Sequence, residues 1–283
     1  MITFSQMISI MQDFWLKQGC SILQSFDTEI GAATYHPATI FNSLQTEDYN
    51  VQFVQLCKRP QDGRKGTHPN RLFTHHQFQV IMQPVPSNIE QLVMECFAKL
   101  GLDHPDYDIR FVEDDWKNPT LGAAGIGWEV RCNEMEVLQY TYFQQLGSRA
   151  LKHVCVELAY GLERLAMRVQ NVDSVYDLIW DQDLTYGQVR QQLEYENTTE
   201  IEFMNRTYLL NMFEQHASLH SVLLDKNLPL AAYISVCKMS HTFNLLDTKG
   251  LSHSIRETYI DRIRQCTKNC IANFMEHHVN NTI

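Results

Sequence analysis

The chain has 283 residues and carries 33 acidic side chains against 23 lysines and arginines, a formal net charge of -10. With 44% apolar and 20% charged residues it is not a disordered chain, and its acidity disfavours a protein whose whole surface coats nucleic acid while leaving room for a local basic site. The length fits one large domain, or one domain with a substantial appendage, and buries a core without disulfides.

Taken in order, Thr3 and Gln6 form a capping box ahead of Phe4, Met7, Ile8, Met11, Phe14 and Trp15, an apolar helical stripe that stops at Gly19. Pro37 suits the first turn of a second, short helix. Strands are predicted at Val51–Cys57 and, less cleanly, at Leu72–Met82, separated by a long loop from Lys58 to Arg71. Long ordered loops are usually functional. Ser87 and Glu90 read as a second capping box, before a helix closed by Gly101. Strand-like runs follow at Tyr107–Val112, Trp128–Cys132, Glu136–Phe143 and Leu151–Glu157, and Gly161 opens another helix. Strands in succession without intervening helices predict an antiparallel sheet, so residues 1–180 read as one α+β domain. Beyond Trp180 the patterns at about 199–225, 230–247 and 254–275 are helical, and residues 181–283 read as an all-helical C-terminal appendage. The eight cysteines form no CxxC pair, which predicts free thiols in a reducing compartment. With no basic leader and no run of 18 apolar residues, the expected location is cytoplasmic, with no membrane partner.

Chemistry concentrates in a few places. The 58–71 loop holds Lys58, Arg59, Arg64, Lys65 and Arg71 against Asp62 alone. It is either a solvated loop or an anion clamp, since guanidinium groups match phosphate oxygens. No GxxxxGK[ST] and no GxGxxG run is present, so a nucleotide would be gripped by side chains. Glu113-Asp114-Asp115-Trp116 is surface, or a site for a cation or ammonium group. The small residues from Gly122 to Gly127 indicate that something approaches the backbone closely. Glu129, Glu136 and Glu157 stand inside apolar strand-like runs and suggest a polar cavity, with strict alternation placing Glu136 on the face of Leu138 and Tyr140. His216 and His220 lack the glutamate of an HExxH site, and His75 and His76 must face opposite ways.

Two segments together resemble class II aminoacyl-tRNA synthetases. The strand, Arg59, the long loop and the strand with Phe78 are similar to their motif 2, and Gly161-Leu162-Glu163-Arg164 resembles the start of their motif 3 helix. The runs Gly31–Thr39, Arg59–Arg71, Phe111–Trp116, Gln139–Gln145, Tyr176–Leu178 and Ser240–Asp247 further resemble the α-subunit family of bacterial heterotetrameric glycyl-tRNA synthetases over nearly the whole chain. Ala124, where a larger aromatic residue is expected, and Asn133-Glu134, in place of a glycine-like turn, depart from that pattern. The resemblance implies an antiparallel catalytic sheet flanked by helices. It also implies a two-step reaction: glycine and ATP, with Mg²⁺, give glycyl-adenylate, and glycine then passes to the terminal adenosine of tRNA(Gly). Its expected partners are a second α chain and a β subunit that supplies most tRNA recognition, in an α2β2 assembly.

Roles follow from the same resemblance. Arg59 is expected at the ATP α-phosphate, Arg164 at the γ-phosphate, Phe78 under the adenine and Arg71 opposite it or at the phosphate tail. Glu136, with Glu129 as second acid, is expected to hold Mg²⁺. Glu157 suits the glycine ammonium, with Gln77, Gln79 and Thr141 as hydrogen-bond partners, and Trp116 suits a wall against any larger side chain. Two alternatives stay open: a catalytically silent class II-like regulatory subunit, and another adenylate-forming ligase on the same fold.

Overall fold

The computed structural model describes residues 1–44 and 48–279; residues 280–283 of the expected helical region lie outside it. Strands β1 (Ser21–Ile22), β2 (Tyr49–Lys58), β3 (Thr74–Gln83), β4 (Ile109–Asp114), β5 (Lys117–Asn118), β6 (Ala123–Cys132), β7 (Met135–Leu146) and β8 (Arg149–Gly161) form one sheet. Its order is β1-β2-β3-β8-β7-β6-β4, with β5 also on β6. Every pairing is antiparallel except the short edge pair β1–β2, which is parallel. The expected antiparallel sheet is therefore present, with one mixed edge.

One face is covered by helices α1 (Phe4–Lys17), α3 (Ile89–Lys99) and α4 (Leu162–Gln170), over Phe78, Val80, Leu138, Tyr140, Leu158 and Tyr160. The Thr3–Gln6 capping box that starts α1 forms in both directions, at 3.2 and 3.0 Å. The one expected at Ser87 does not: α3 starts after Asn88, which makes no side-chain cap.

The other face is divided. At one end Val51, Phe53, Ile81, Phe143 and Cys155 form a second core with helices α7 (Pro229–Asp247) and α8 (His253–Phe274). The C-terminal helices thus share a hydrophobic core with the sheet. The helix read from 199 to 225 is two, α5 (Gln192–Phe203) and α6 (Arg206–Asp225), because Asn205 turns extended and its side chain caps the amide of Tyr208 at 2.8 Å. The short α2 (Pro37–Ile40) begins at its proline as expected. All eight cysteines are free, and all but Cys266 are buried. Among the described residues no helix is long and apolar enough to cross a membrane.

Two backbone features shape the remaining end of this face. The register jumps from Val130↔Leu138 to Arg131↔Glu136, so Val137 is an extra residue in β7. That bulge overturns the strict alternation: Glu136 joins Gln139 rather than Leu138 and Tyr140. Gly125 and Gly127 lie so close to β7 that a Cβ on either would collide with the carbonyl of Tyr142 or Tyr140. The close neighbour signalled by those small residues is the adjacent strand.

The β6–β7 turn is tight, with Asn133 at φ 47° and Glu134 at φ 66°. Two left-handed residues make a hairpin turn that favours glycine at the second position. Among the described residues Glu134 there pairs only with exposed Arg110, at 3.0 Å, a contact of little stabilising value. Replacing Glu134 with glycine is expected to raise stability by about 0.5–1 kcal/mol, as relief of left-handed strain exceeds the added chain entropy. Urea unfolding of the two proteins checks this, and a lower midpoint would contradict it.

Candidate active site

The polar end of the second face is the floor of a cleft of about 390 Å³. Period-2 alternation along β3 turns His75 and Gln77 into it, while β8 contributes Glu157, Ala159 and Gly161 and β7 contributes Glu136 and Gln139. Arg59 and Arg71 come from the two ends of the 58–71 loop, Arg164 from the first turn of α4, and Trp116 from the segment before β5.

Of the expected site residues, this cleft gathers Arg59, Arg71, Gln77, Trp116, Glu136, Glu157 and Arg164. Gln79 and Thr141 lie fully buried behind its wall: Gln79 donates to Glu157, and Thr141 pairs with Glu157 across the ladder. Phe78 must be corrected. It neighbours Gln77 on one strand and so faces the opposite side, where it packs fully buried against Tyr160 under the helices. No adenine ring reaches it there. Glu129 lines an adjoining cavity of about 630 Å³ and is held by Arg131 at 2.6 Å.

Charge is arranged unequally across the cleft. Arg59 donates its Nε to the Gly31 carbonyl at 2.9 Å, and among the described residues neither it nor Arg71 makes an ion pair. Arg164 pairs with Glu136 at 3.1 Å, both side chains partly exposed. Glu157 is 1% exposed, and burial pushes its carboxyl up to about 7 even though Thr34 donates to it at 2.9 Å and Gln79 donates as well. Burial pushes the other way on His75, which with the charge of Arg59 falls to about 3, leaving a neutral ring whose Nε2 is buried without a partner. Glu163 is buried too, but His76, through its amide at 2.9 Å and its ring at 2.6 Å, holds it below the ordinary carboxylate range. Tyr186 donates to the same carboxylate at 2.9 Å.

The cleft therefore has a cationic rim and two buried carboxylates, of which Glu163 is taken up by His76 and Tyr186 and Glu157 is held only by neutral donors. Such an arrangement accepts a polyanion above and an ammonium group below. A model of the family described as glycyl-tRNA synthetase alpha subunit matches residues 4–279. The chain belongs to that family. Membership makes it a ligase subunit with the class II fold. Two solved structures of pyrrolysyl-tRNA synthetase from Desulfitobacterium hafniense, one titled PylSc, are similar in part. They are 11% and 13% identical, with TM-scores of 0.45 and 0.42 over 65% and 64% of this chain and 75% and 72% of theirs.

Three further cleft residues, His75, Thr34 and Asn70, drew no role at this site from the sequence. His75 was legible, since it shares the period of Gln77 and Gln79. Thr34, which anchors Glu157, and Asn70, inside the loop, carry no local signal. Of the acidic run, Asp114 accepts from Gln139 at 3.1 Å, while Glu113 and Asp115 stay exposed. His220 is buried between the Ala232 carbonyl at 3.4 Å and the Cys270 thiol at 3.7 Å. Among the described residues no group of three or more His, Cys, Asp or Glu side chains stands ready to hold a metal alone.

Proposed function

We propose that the α subunit activates glycine in this cleft. The supporting observation is Glu157, a carboxylate buried at the closed end of a pocket rimmed by Arg59, Arg71 and Arg164. Glycine enters ammonium first. Glu157 takes the ammonium, and Gln77 at the wall adds a polar contact, with Gln79 and Thr34 orienting Glu157 by donating to its carboxylate and Thr141 beside it in the ladder. The glycine carboxylate, already ionised, attacks the α-phosphorus of ATP, forming the O–P bond of glycyl-adenylate as the bond to pyrophosphate breaks. No general base is needed. Arg59 stabilises the negative charge that builds on the α-phosphate oxygens, and Arg71 and Arg164 hold the leaving pyrophosphate.

Glu136, with Glu129 beside it, suits Mg²⁺, because that ion usually takes one or two carboxylates together with substrate phosphates. When bound it would offset repulsion among phosphate oxygens; Glu136 would then exchange part of its pairing with Arg164 for the ion. Transfer of glycine to tRNA(Gly) is assigned to an α2β2 assembly. An α chain of net charge -10 is poorly suited to grip tRNA alone, so the β subunit supplies most of that surface.

Trp116 stands in the cleft wall, its ring 5.2 Å from Phe143. It serves as the barrier to a larger amino acid, which a steric wall rejects more effectively than a smaller one. Trp116→Ala is expected to reduce the glycine-over-alanine preference in kcat/KM by about tenfold or more; an unchanged ratio removes Trp116 from this role. The reading as a whole is tested by calorimetry with non-hydrolysable aminoacyl-adenylate analogues. The glycyl analogue is expected to bind more tightly than ATP or glycine alone and more tightly than the alanyl analogue. Equal binding of the two analogues would sink it.

A further inference from the structure

The 58–71 loop lies against a helix far away in sequence. Gln191, just before α5, donates its side-chain amide to the Gly66 carbonyl at 2.9 Å, and Lys65 pairs with Glu202 at 2.6 Å. Gly63 sits so near Thr198 that an added Cβ would meet it at 2.7 Å. The deepest contact is Glu194. Its two carboxylate oxygens accept the consecutive backbone amides of Phe73 and Thr74 at 2.7 and 2.8 Å, and the residue is 1% exposed. Among the described residues it makes no ion pair. A buried carboxylate without an ion pair is costly, and here two backbone amides, with the charge of Arg190 nearby, offset that cost.

That geometry leads straight to the reaction centre. The β2–β3 ladder ends at the pair Lys58↔Thr74, so Arg59 is the first residue beyond its support. The Arg59 amide instead donates to the Phe73 carbonyl at 2.6 Å, while the Phe73 amide is held by Glu194. Glu194 fixes Phe73, Phe73 fixes the backbone of Arg59, and Arg59 reaches the cleft. We infer that Glu194 of helix α5 is a positioning residue for adenylate formation, acting through Phe73 to set Arg59. This rests on the proposed role of Arg59 in glycine activation.

The test uses the full chain with its β subunit and Glu194→Gln, whose amide keeps one acceptor and sets a donor against the second N–H. In glycine-dependent ATP–pyrophosphate exchange, kcat per folded protein is expected to fall by about tenfold or more, since small misplacements of a charge-stabilising group are costly. The glycine KM should stay within about twofold, because Glu157 is untouched. Glu202→Gln, which removes only the exposed pair on the same helix, should leave kcat within about twofold. Hydrogen exchange at the Phe73 and Thr74 amides supplies a readout independent of activity, with protection lost in Glu194→Gln. Should that variant fail to fold, Glu194→Asp keeps the charge but, one methylene shorter, holds the amides less well, and a lower kcat at unchanged glycine KM is again expected. Wild-type kcat in a folded variant, intact amide protection, or a matching rise in glycine KM would overturn the inference. A wild-type enzyme silent toward glycine would instead strike at the proposed function, and the amide protection would still judge Glu194.

Discussion

Arg59→Ala is expected to lower glycine-dependent ATP–pyrophosphate exchange by about 100- to 1,000-fold, roughly 3–4 kcal/mol, while the fold stays intact. The two halves of that expectation have separate causes. Arg59 is exposed and, among the described residues, its side chain bonds only to the Gly31 carbonyl, so truncation leaves no buried charge unpaired. Its backbone bond to Phe73 survives the substitution. The loss therefore falls on the reaction: the guanidinium lines the cleft, makes no ion pair among the described residues, and in the proposed mechanism meets the charge developing on the α-phosphate. Exchange assays run beside thermal melts separate the two effects, and near-normal exchange in a folded variant would remove Arg59 from the centre of the mechanism.

For Glu157→Gln the expected result is a glycine KM raised by about 100-fold, together with a more stable protein at neutral pH and above. An ammonium group loses the buried counter-charge proposed to hold it, which at an enclosed site costs about 3 kcal/mol. The amide oxygen can still accept from Thr34 and Gln79, so the local framework persists. Stability follows from linkage. In the folded state Glu157 is raised from an ordinary 4.5 to about 7, so its contribution is fully present below pH 4.5 and is lost as pH rises through 7. Glutamine has no proton to lose. The variant should melt close to wild type near pH 5 and above it near pH 8, by roughly the penalty of ionising a buried carboxylate. The same titration predicts that wild-type glycine KM falls by up to about tenfold between about pH 6 and pH 8, as the ionised form that binds ammonium accumulates. A flat KM profile, or a variant less stable at alkaline pH, would contradict this assignment.

Much of the site was legible because strands and loops report it locally. The basic 58–71 loop between two β-rich runs, and Gly161-Leu162-Glu163-Arg164 at a helix start, mark the positions that the fold brings to one cleft. Glu157 stood out as a carboxylate in an apolar run. Phe78 shows where a motif resemblance outran elementary geometry: residues adjacent on a strand cannot both line one face, so Gln77 and Phe78 were incompatible candidates. Glu136 reached the cleft by a route alternation forbids, since the bulge at Val137 has no signature in residue type. Glu194 was invisible for a different reason. On a helix rich in Glu, Gln and Thr, one buried carboxylate looks like any solvated one, and only the tertiary packing of α5 against the loop distinguishes it. The break between α5 and α6 lacks glycine or proline and rests on Met204 and Asn205, both extended, with Asn205 supplying the cap.

Glycine activation in this cleft is tested most directly by glycine-dependent ATP–pyrophosphate exchange by the purified chain, alone and with its β subunit, with alanine and serine as competing substrates. Exchange driven by glycine and by neither competitor is the predicted result. A folded α chain that supports no exchange even with β present, or one that responds to alanine as well as to glycine, would contradict it.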